Sequence, residues 1–321
     1  MLQIDYESED FAPGAAVTNG SNSLALTWDD LLWAAMTVGR PNRQYVFQHG
    51  AASWYEALFR LSLVRMSLEQ AGPAGRRLRR TQAARTLDPS EKGAVNYFLG
   101  LAVAKLFADK CLDAPWLLHL DVFRPQLNAQ LAGRSRPDLI GQTRAGDWIA
   151  LECKGRLSQP SAGAKLRAKE QAERVISVSG AVPAVNAGCI AFFRSDVLQF
   201  FWRDPTPEPA RIKHPIAVVV PADSWQFYYD PILALFEERT PTQTDLGNDL
   251  VTVVDERLDV TVSIDATVLR LLRARQWAEA KAFASAVRVE HKDPALRGDG
   301  LRVVAGETWL KPFKDEGANR L

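Results

Sequence analysis

The stretch Trp148-Ile149-Ala150-Leu151-Glu152-Cys153-Lys154 narrows the folds open to this chain more than any other. It is apolar almost without a break until its end, and an extended strand shows successive side chains to opposite faces. A strand that is apolar on both faces needs cover on both. That places it inside a sheet with helices above and below. The neighbouring periodicities fit this frame. Asp88-Pro89-Ser90-Glu91 opens a helix: Asp88 suits the N-cap, Pro89 the first helical position and Glu91 the third, from which it reaches back to the cap. The helix runs to about Lys110, and its apolar surface is wide enough to predict burial on more than one side. The period then shortens. Strands are predicted at Trp116–Phe123, Arg136–Gln142 and Trp148–Lys154, followed by a charged helix over Ser161–Val178. Further strands are predicted at Cys189–Phe193 and Val197–Trp202, around a turn at Arg194-Ser195-Asp196. A buried strand at Ile216–Val220 and a helix at Tyr229–Arg239, closed by Thr240-Pro241, complete this part.

The flanks read differently. Residues 1–25 are rich in Gly, Ala, Ser and Asn and predict a loose arm. Helices follow at Trp28–Val38 and His49–Gln70, the second carrying Trp54, Leu58, Leu61 and Phe59, Leu63, Met66 at helical spacing. Gly72, Pro73 and Gly75 break the pattern, with Arg76, Arg77, Arg79 and Arg80 beside them, and a boundary is placed there. The tail predicts strands at Leu250–Val254, Leu258–Ile264 and Leu301–Val304 and a helix over Ala266–Ala286. The expected architecture is α/β, a mixed central sheet flanked by helices over residues 81–240. An N-terminal helical extension (1–80) and a C-terminal α+β extension (241–321) packed on the core complete it.

Composition sets limits on partners. Lys+Arg number 39 against 38 Asp+Glu, a net charge of +1, so a protein coated in positive charge is excluded and nucleic acid must be met by a local patch. No apolar run is long enough for a membrane span. The acidic start, MLQIDYESEDF, lacks the features of a secretory signal, which predicts a cytoplasmic protein. The 3 cysteines, Cys111, Cys153 and Cys189, fit neither a zinc site nor a disulfide framework and read as thiols in a reducing compartment. The 4 histidines, His49, His119, His214 and His291, show no metal-binding spacing. No phosphate-loop motif is present.

Chemistry concentrates at Arg136-Pro137-Asp138-Leu139-Ile140 and Glu152-Cys153-Lys154-Gly155. Glu152 and Lys154, two apart on a strand, point the same way, while Leu151 and Cys153 point the other. An antiparallel pairing of the two strands brings Asp138 alongside Glu152. Two carboxylates at close range repel unless one takes a proton or a cation neutralises them. Magnesium prefers such oxygen ligands together with water and phosphate. The Cys153 carbonyl, between Glu152 and Lys154, is a further oxygen ligand candidate. The Lys154 ammonium is placed to hold an attacking water and offset phosphate charge.

This arrangement resembles the PD-(D/E)XK nuclease superfamily of restriction endonucleases and related repair and phage-defence nucleases. Pro137-Asp138, 13 intervening residues and Glu152-Cys153-Lys154 carry the likeness, which covers roughly residues 88–220. It implies a restriction-endonuclease-like core and a divalent-metal-dependent nuclease using Mg2+ or Mn2+, held by Asp138, Glu152 and Cys153. It further implies a nucleic-acid partner, DNA before RNA, in a bacterial defence or repair setting. Several branches carry a glutamine on the helix after the third strand that orients the site, which implies that role for Gln171. The tyrosine that one large branch has four residues later is replaced here by Val175.

Other readings stand beside these. The two motifs also fit a surface hairpin with a charge pair at its tip. Lys165 and Lys169 either reach phosphates or form a solvated face, and Glu91 is either an extra acidic ligand or a capping residue. His119 and Asp121 either approach the site or serve the core. Phe200, Phe201 and Trp202 read as core rather than as a base-stacking surface. From Arg134 to Arg174 there are 9 basic and 5 acidic residues, and with the arginines at 76–80 these are the candidate phosphate contacts. With no motor or reader domain in evidence, a homo-oligomer or a partner protein subunit is expected. The competing functions are a non-catalytic nucleic-acid-binding or assembly module with the same fold, and a metal enzyme acting on a smaller phosphodiester.

Overall fold

The computed structural model describes residues 1–38, 51–120, 137–204, 212–238, 243–245, 249–290, 293, 295–311 and 313. Its first element corrects the expected loose arm. β1 (Leu2–Glu9) and β2 (Gly20–Leu26) form an antiparallel hairpin, with Leu2 opposite Leu26 and Ser8 opposite Gly20. Leu2 and Ile4 alternate with Gln3 and Asp5, so one face is buried and the other meets solvent. The Gly, Ser and Asn of residues 12–23 concentrate in the connection and in polar β2, and hid this signal.

α1 (Trp28–Thr37) begins on a capping box: the Asp30 N–H donates to Thr27 Oγ1 (3.2 Å) and the Thr27 N–H to Asp30 Oδ2 (2.8 Å). α2 (Ala51–Ser67) ends earlier than its periodicity predicts. The expected boundary at 71–80 is instead a hairpin. β3 (Leu68–Ala71) turns through a short 3-10 segment into β4 (Arg77–Arg80), with Gly72 at φ 74° and Gly75 at φ 62° supplying the left-handed conformations. α3 (Gln82–Thr86) leads into α4 (Pro89–Leu112), capped as the sequence predicts. Asp88 Oδ1 accepts from the Ser90 N–H at 2.7 Å, and Glu91 Oε2 accepts from the Asp88 N–H at 3.3 Å.

The central strands are β5 (Trp116–His119), β6 (Leu139–Gln142) and β7 (Trp148–Gly155), an antiparallel meander with Leu118 opposite Ile140 and Ile140 opposite Ala150. α5 (Ala162–Ala172) is shorter than expected, because Val175-Ile176-Ser177-Val178 forms β8 (Val175–Val178). β9 (Val185–Arg194) runs parallel to β7, with Cys189 beside Cys153, and β10 (Val197–Arg203) returns antiparallel. β11 (Ile216–Val218) does not enter the main sheet; it pairs with β8 in a separate two-stranded ribbon.

The main sheet has nine strands in the order β2-β1-β4-β10-β9-β7-β6-β5, with β3 on β4 and β1 also paired in parallel with β10. It is mixed and flanked by helices, as expected. The N-terminal 80 residues are not a helical appendage but contribute β1 to β4. α4 covers the face that carries Cys153, Cys189 and Phe200, with Phe107 stacked on Phe200 at 4.0 Å. α5 covers the other face, where Ala168 meets Ile190, Phe192 and Phe201. The Phe200-Phe201-Trp202 group is therefore core, as expected.

α6 (Gln226–Glu238) precedes an antiparallel sheet of β12 (Gln243–Asp245), β13 (Leu250–Asp255), β14 (Val260–Asp265) and β15 (Leu301–Ala305). The single helix expected over 266–286 is two, α7 (Ala266–Arg273) and α8 (Trp277–Glu290), divided by Arg275 at φ 58°. α9 (Glu307–Leu310) closes the described chain. One hydrophobic cluster runs from Leu2 to Trp309, so this second sheet shares the core of the first. A polar clasp joins them. Buried Asp299 accepts from Trp33 Nε1 (2.8 Å), the Tyr228 hydroxyl (2.6 Å) and the Leu301 N–H (3.1 Å).

Lys105 lies fully buried in this clasp, donating to the Pro115 carbonyl and, at 3.2 Å, to the Tyr228 hydroxyl. Burial pulls its ammonium down to about 7, against the opposing pull of Asp299 and Asp109. Between about pH 7 and 10 the unfolded chain holds this proton and the folded chain does not. Its contribution to stability therefore rises with pH across that window and is flat below it. Urea titrations at pH 7, 8 and 9 are expected to show a rising trend that Lys105→Met reduces; an unchanged trend would contradict the assignment.

Candidate active site

The site forms where β6 begins. Leu139 pairs with Leu151, so the next residue back, Asp138, stands opposite Glu152. Asp138 occupies a bend just before β6 rather than the strand itself. Its Oδ2 accepts the Cys153 N–H at 2.8 Å, taking the place a strand partner would have held. In an extended strand the N–H and C=O of one residue leave by the same edge, which puts the Cys153 carbonyl on the Asp138 side. The Cys153 side chain is perpendicular to that edge and packs beside Cys189 in the core, where burial raises both thiols well above their usual range. They stay protonated, as inert core groups.

Glu152 and Lys154 share a face and form an ion pair. Glu152 is almost entirely buried, whereas the Lys154 side chain keeps 32% of its surface. Burial first, and then the Asp138 carboxylate, push Glu152 up to about 8, although Lys154 pulls it down. Burial also raises Asp138, against the Cys153 N–H, Lys154 and Glu152. Both acids are thus held where ionisation is unfavourable and an additional cation would relieve it. Glu152 Oε2 is buried without a hydrogen-bond partner, an acceptor the protein leaves unused. Among the described residues no three His, Cys, Asp or Glu side chains converge as a ready-made metal cage. What the chain offers a hard cation is two carboxylates and one carbonyl, a set that suits magnesium with water and substrate oxygens completing the shell.

α4 is pressed against this strand end. A Cβ on Gly155 would overlap the Asn96 carbonyl, and one on Gly100 would meet the Lys154–Gly155 peptide at 2.8 Å. Gly155→Ala therefore forces β7 away from α4 and drags Lys154 with it. The expected cost is about 1–3 kcal/mol, read as a lower urea midpoint; a midpoint unchanged from the parent would show that the two backbones are less tightly fitted.

Other residues singled out in the sequence fall elsewhere. Gln171 is half-buried near the end of α5, and among the described residues no hydrogen bond joins it to Asp138, Glu152 or Lys154. Glu91 serves the α4 cap. Lys165 is not a free phosphate contact, since it pairs with Glu7 (2.9 Å) and Glu9 (3.0 Å). Lys169 is buried, donating to the Asn186 carbonyl at 2.9 Å and pairing with Asp204 and Glu173, both at 3.3 Å. Three of the four cluster arginines are likewise engaged, while Arg76 is exposed and enters no ion pair among the described residues. Arg77 pairs with Asp5, Arg79 with Glu69 (2.9 Å) and Arg80 with Asp196. Exposed Arg156 and Arg167, by contrast, enter no ion pair among the described residues. Asp121, Arg134 and Arg136 lie outside the described residues, as do His49, Phe123 and His291.

Tyr97, which none of the sequence motifs marks, also stands here. Its hydroxyl lies 3.2 Å from His119 Nε2, and burial together with the Asp138 charge pushes the phenol up to about 12. The available signal was a hydroxyl-bearing aromatic on the exposed side of a helix otherwise set for burial. No described helix is long and apolar enough to cross a membrane. Comparison with models of protein families, with curated proteins and with solved structures finds no match to this chain.

Proposed function

We propose that this protein is a divalent-metal-dependent nuclease that hydrolyses phosphodiester bonds, DNA before RNA. The observation that carries the reading is the meeting of Asp138 and Glu152 across the β6–β7 pair, with Lys154 on the Glu152 carboxylate. The element order around them supports it. A long helix, a three-strand antiparallel meander, a second helix and a strand parallel to the third make a mixed sheet flanked by helices, which is compatible with the frame that the PD-(D/E)XK resemblance implies. Asp138, Glu152 and the Cys153 carbonyl would hold Mg2+ or Mn2+, which when bound supplies charge neutralisation and a more acidic water.

The chain's own residues then have separate tasks. Asp138, fixed by the Cys153 N–H, keeps its second oxygen for the cation. Lys154 is exposed enough to reach a non-bridging phosphate oxygen, and its ammonium offsets the charge that grows there in the transition state. Arg156 and Arg167 are the described free cations closest in sequence to this strand and the helix that follows, and they suit flanking phosphates. Arg77, Arg79, Arg80, Arg144, Lys165 and Lys169 are engaged in ion pairs, so phosphate contact draws on fewer groups than the sequence count offers and a shallower dependence of binding on salt is expected.

The test is a cleavage assay on plasmid, linear duplex, single-stranded DNA and RNA, with and without Mg2+ or Mn2+. Metal-dependent cutting supports the proposal. Binding of nucleic acid without cutting, unchanged in Asp138→Ala, supports the assembly-module reading instead. Cutting only of short or cyclic nucleotides supports the small-phosphodiester reading. Light scattering on the same protein tests whether it works as a homo-oligomer or awaits a partner subunit.

A further inference from the structure

The Asp138 carboxylate accepts a main-chain N–H of β7, so it lies close to the plane of the sheet at the point where β6 has not yet begun. A group in that position is bordered from both faces. Glu152 and Lys154 approach from the α5 side, since their strand neighbours are Gly188, which lies against Ala168–Lys169, and Ile190, which packs on Ala168. On the α4 side stands a second polar pair. His119 is buried on β5 opposite Leu139, and the N–H of its neighbour Leu120 donates to the Asp138 carbonyl at 2.9 Å. Tyr97 reaches His119 from α4, one residue after Asn96, whose carbonyl abuts Gly155. Unlike His119, Tyr97 keeps 41% of its surface exposed.

We infer that Tyr97 is a substrate-contacting residue of this site, donating a hydrogen bond to a phosphate oxygen of the scissile linkage, and that His119 is its positioning residue. The inference rests on the nuclease reading above. The chemistry follows from what each group can do. A phenol offers one O–H donor and two acceptor lone pairs, and a neutral imidazole offers one N–H. When His119 Nε2–H donates to Tyr97 Oη, the phenol proton is free to point outward. The exposed ring gives it only two directions, back to the histidine or out to solvent and substrate. Asp138 and Glu152 are acceptors when ionised and supply no donor on this side, and Lys154 serves the opposite face. Tyr97 therefore completes the set of donors around a phosphate that already has the cation and Lys154. No proton is transferred in this role. The water oxygen forms the new P–O bond as the bond from phosphorus to the leaving oxygen breaks, the proton lost by the water is balanced by one that the leaving oxygen takes up from solvent, and Tyr97 only strengthens its hydrogen bond as charge builds.

The experiment compares the parent with Tyr97→Phe, His119→Leu and His119→Gln in the full chain, measuring cleavage rates with Mn2+ and, separately, the Mn2+-induced rise in melting temperature. Tyr97→Phe is expected to lower kcat about 10²-fold with KM changed less than about threefold. His119→Leu should follow it, and His119→Gln, whose amide can still donate from the corresponding position, should recover most of that loss. All three variants should keep the Mn2+-induced melting shift. Tyr97→Phe cutting at the parental rate overturns this inference and leaves the nuclease reading intact. Loss of the melting shift in Tyr97→Phe also overturns it, since the residue would then act on the metal side. A parent that takes up Mn2+ but cuts no nucleic acid overturns this inference and the nuclease reading together.

Discussion

Glu152→Gln and Asp138→Asn are each expected to lower metal-dependent cleavage by about 10³-fold or more, at the upper end of what loss of one electrostatic contact costs an enzyme. Among the described residues Asp138 and Glu152 are the paired acids at this strand end, and a cation held there would answer to both charges. Gln and Asn keep the shape and remove the charge. The same variants make a second prediction that does not depend on catalysis. In the metal-free protein, Glu152 is raised from its ordinary value to about 8 by burial and by Asp138. Between about pH 4.5 and 8 the unfolded chain has released this proton while the folded chain retains it. Stability of the metal-free protein should therefore fall as pH rises through that window. The expected loss between pH 6 and 8 is on the order of 1–2 kcal/mol, and Glu152→Gln should flatten it. Mg2+ or Mn2+ at saturating concentration should stabilise the parent by about 2–3 kcal/mol and leave Glu152→Gln unmoved. Equal metal-induced melting shifts in parent and variant would sink the metal site, whatever the cleavage assay shows.

Asp299→Ala is expected to destabilise the fold by about 3–5 kcal/mol, the range for removing one member of a buried charged network. Asp299 is fully buried and accepts from α1 through Trp33, from α6 through Tyr228 and from its own turn through Leu301. Its loss strands three donors and leaves buried Lys105 and Arg297 with less compensating charge. Asp299→Asn, which keeps one acceptor oxygen, should cost less. Equilibrium unfolding in urea measures both. An effect below about 1 kcal/mol would show that the two sheets are joined by apolar packing alone.

Much of the central architecture was legible along the chain. α4 could be read from Asp88, Pro89 and Glu91 because capping is a local bargain among residues three apart. β7 could be read from its unbroken apolar run, and the turn between β9 and β10 from Arg194-Ser195-Asp196, where the structure shows Ser195 and Asp196 in left-handed conformations. β1 to β4 were missed for a physical reason. Their strands are half polar or short; β1 and β4 pair with β10, more than 100 residues away, and β2 and β3 are held in turn on β1 and β4. The fate of the basic residues was also hidden. Arg77, Arg79, Arg80, Lys165 and Lys169 look like phosphate contacts when counted along the sequence. Their partners Asp5, Glu69, Asp196, Glu7, Glu9 and Asp204 come from other strands and connections.

The order of residues alone determined that a central strand ends in an acid and a lysine on one face, because alternation along an extended chain needs nothing beyond the chain itself. Only the tertiary structure decided which acid stands opposite, how deeply the pair is buried, which cations remain free and that Tyr97 and His119 border the same place. Those depend on register between strands and on helices seated across the sheet, and such contacts are made between segments that carry no mark of one another in the sequence.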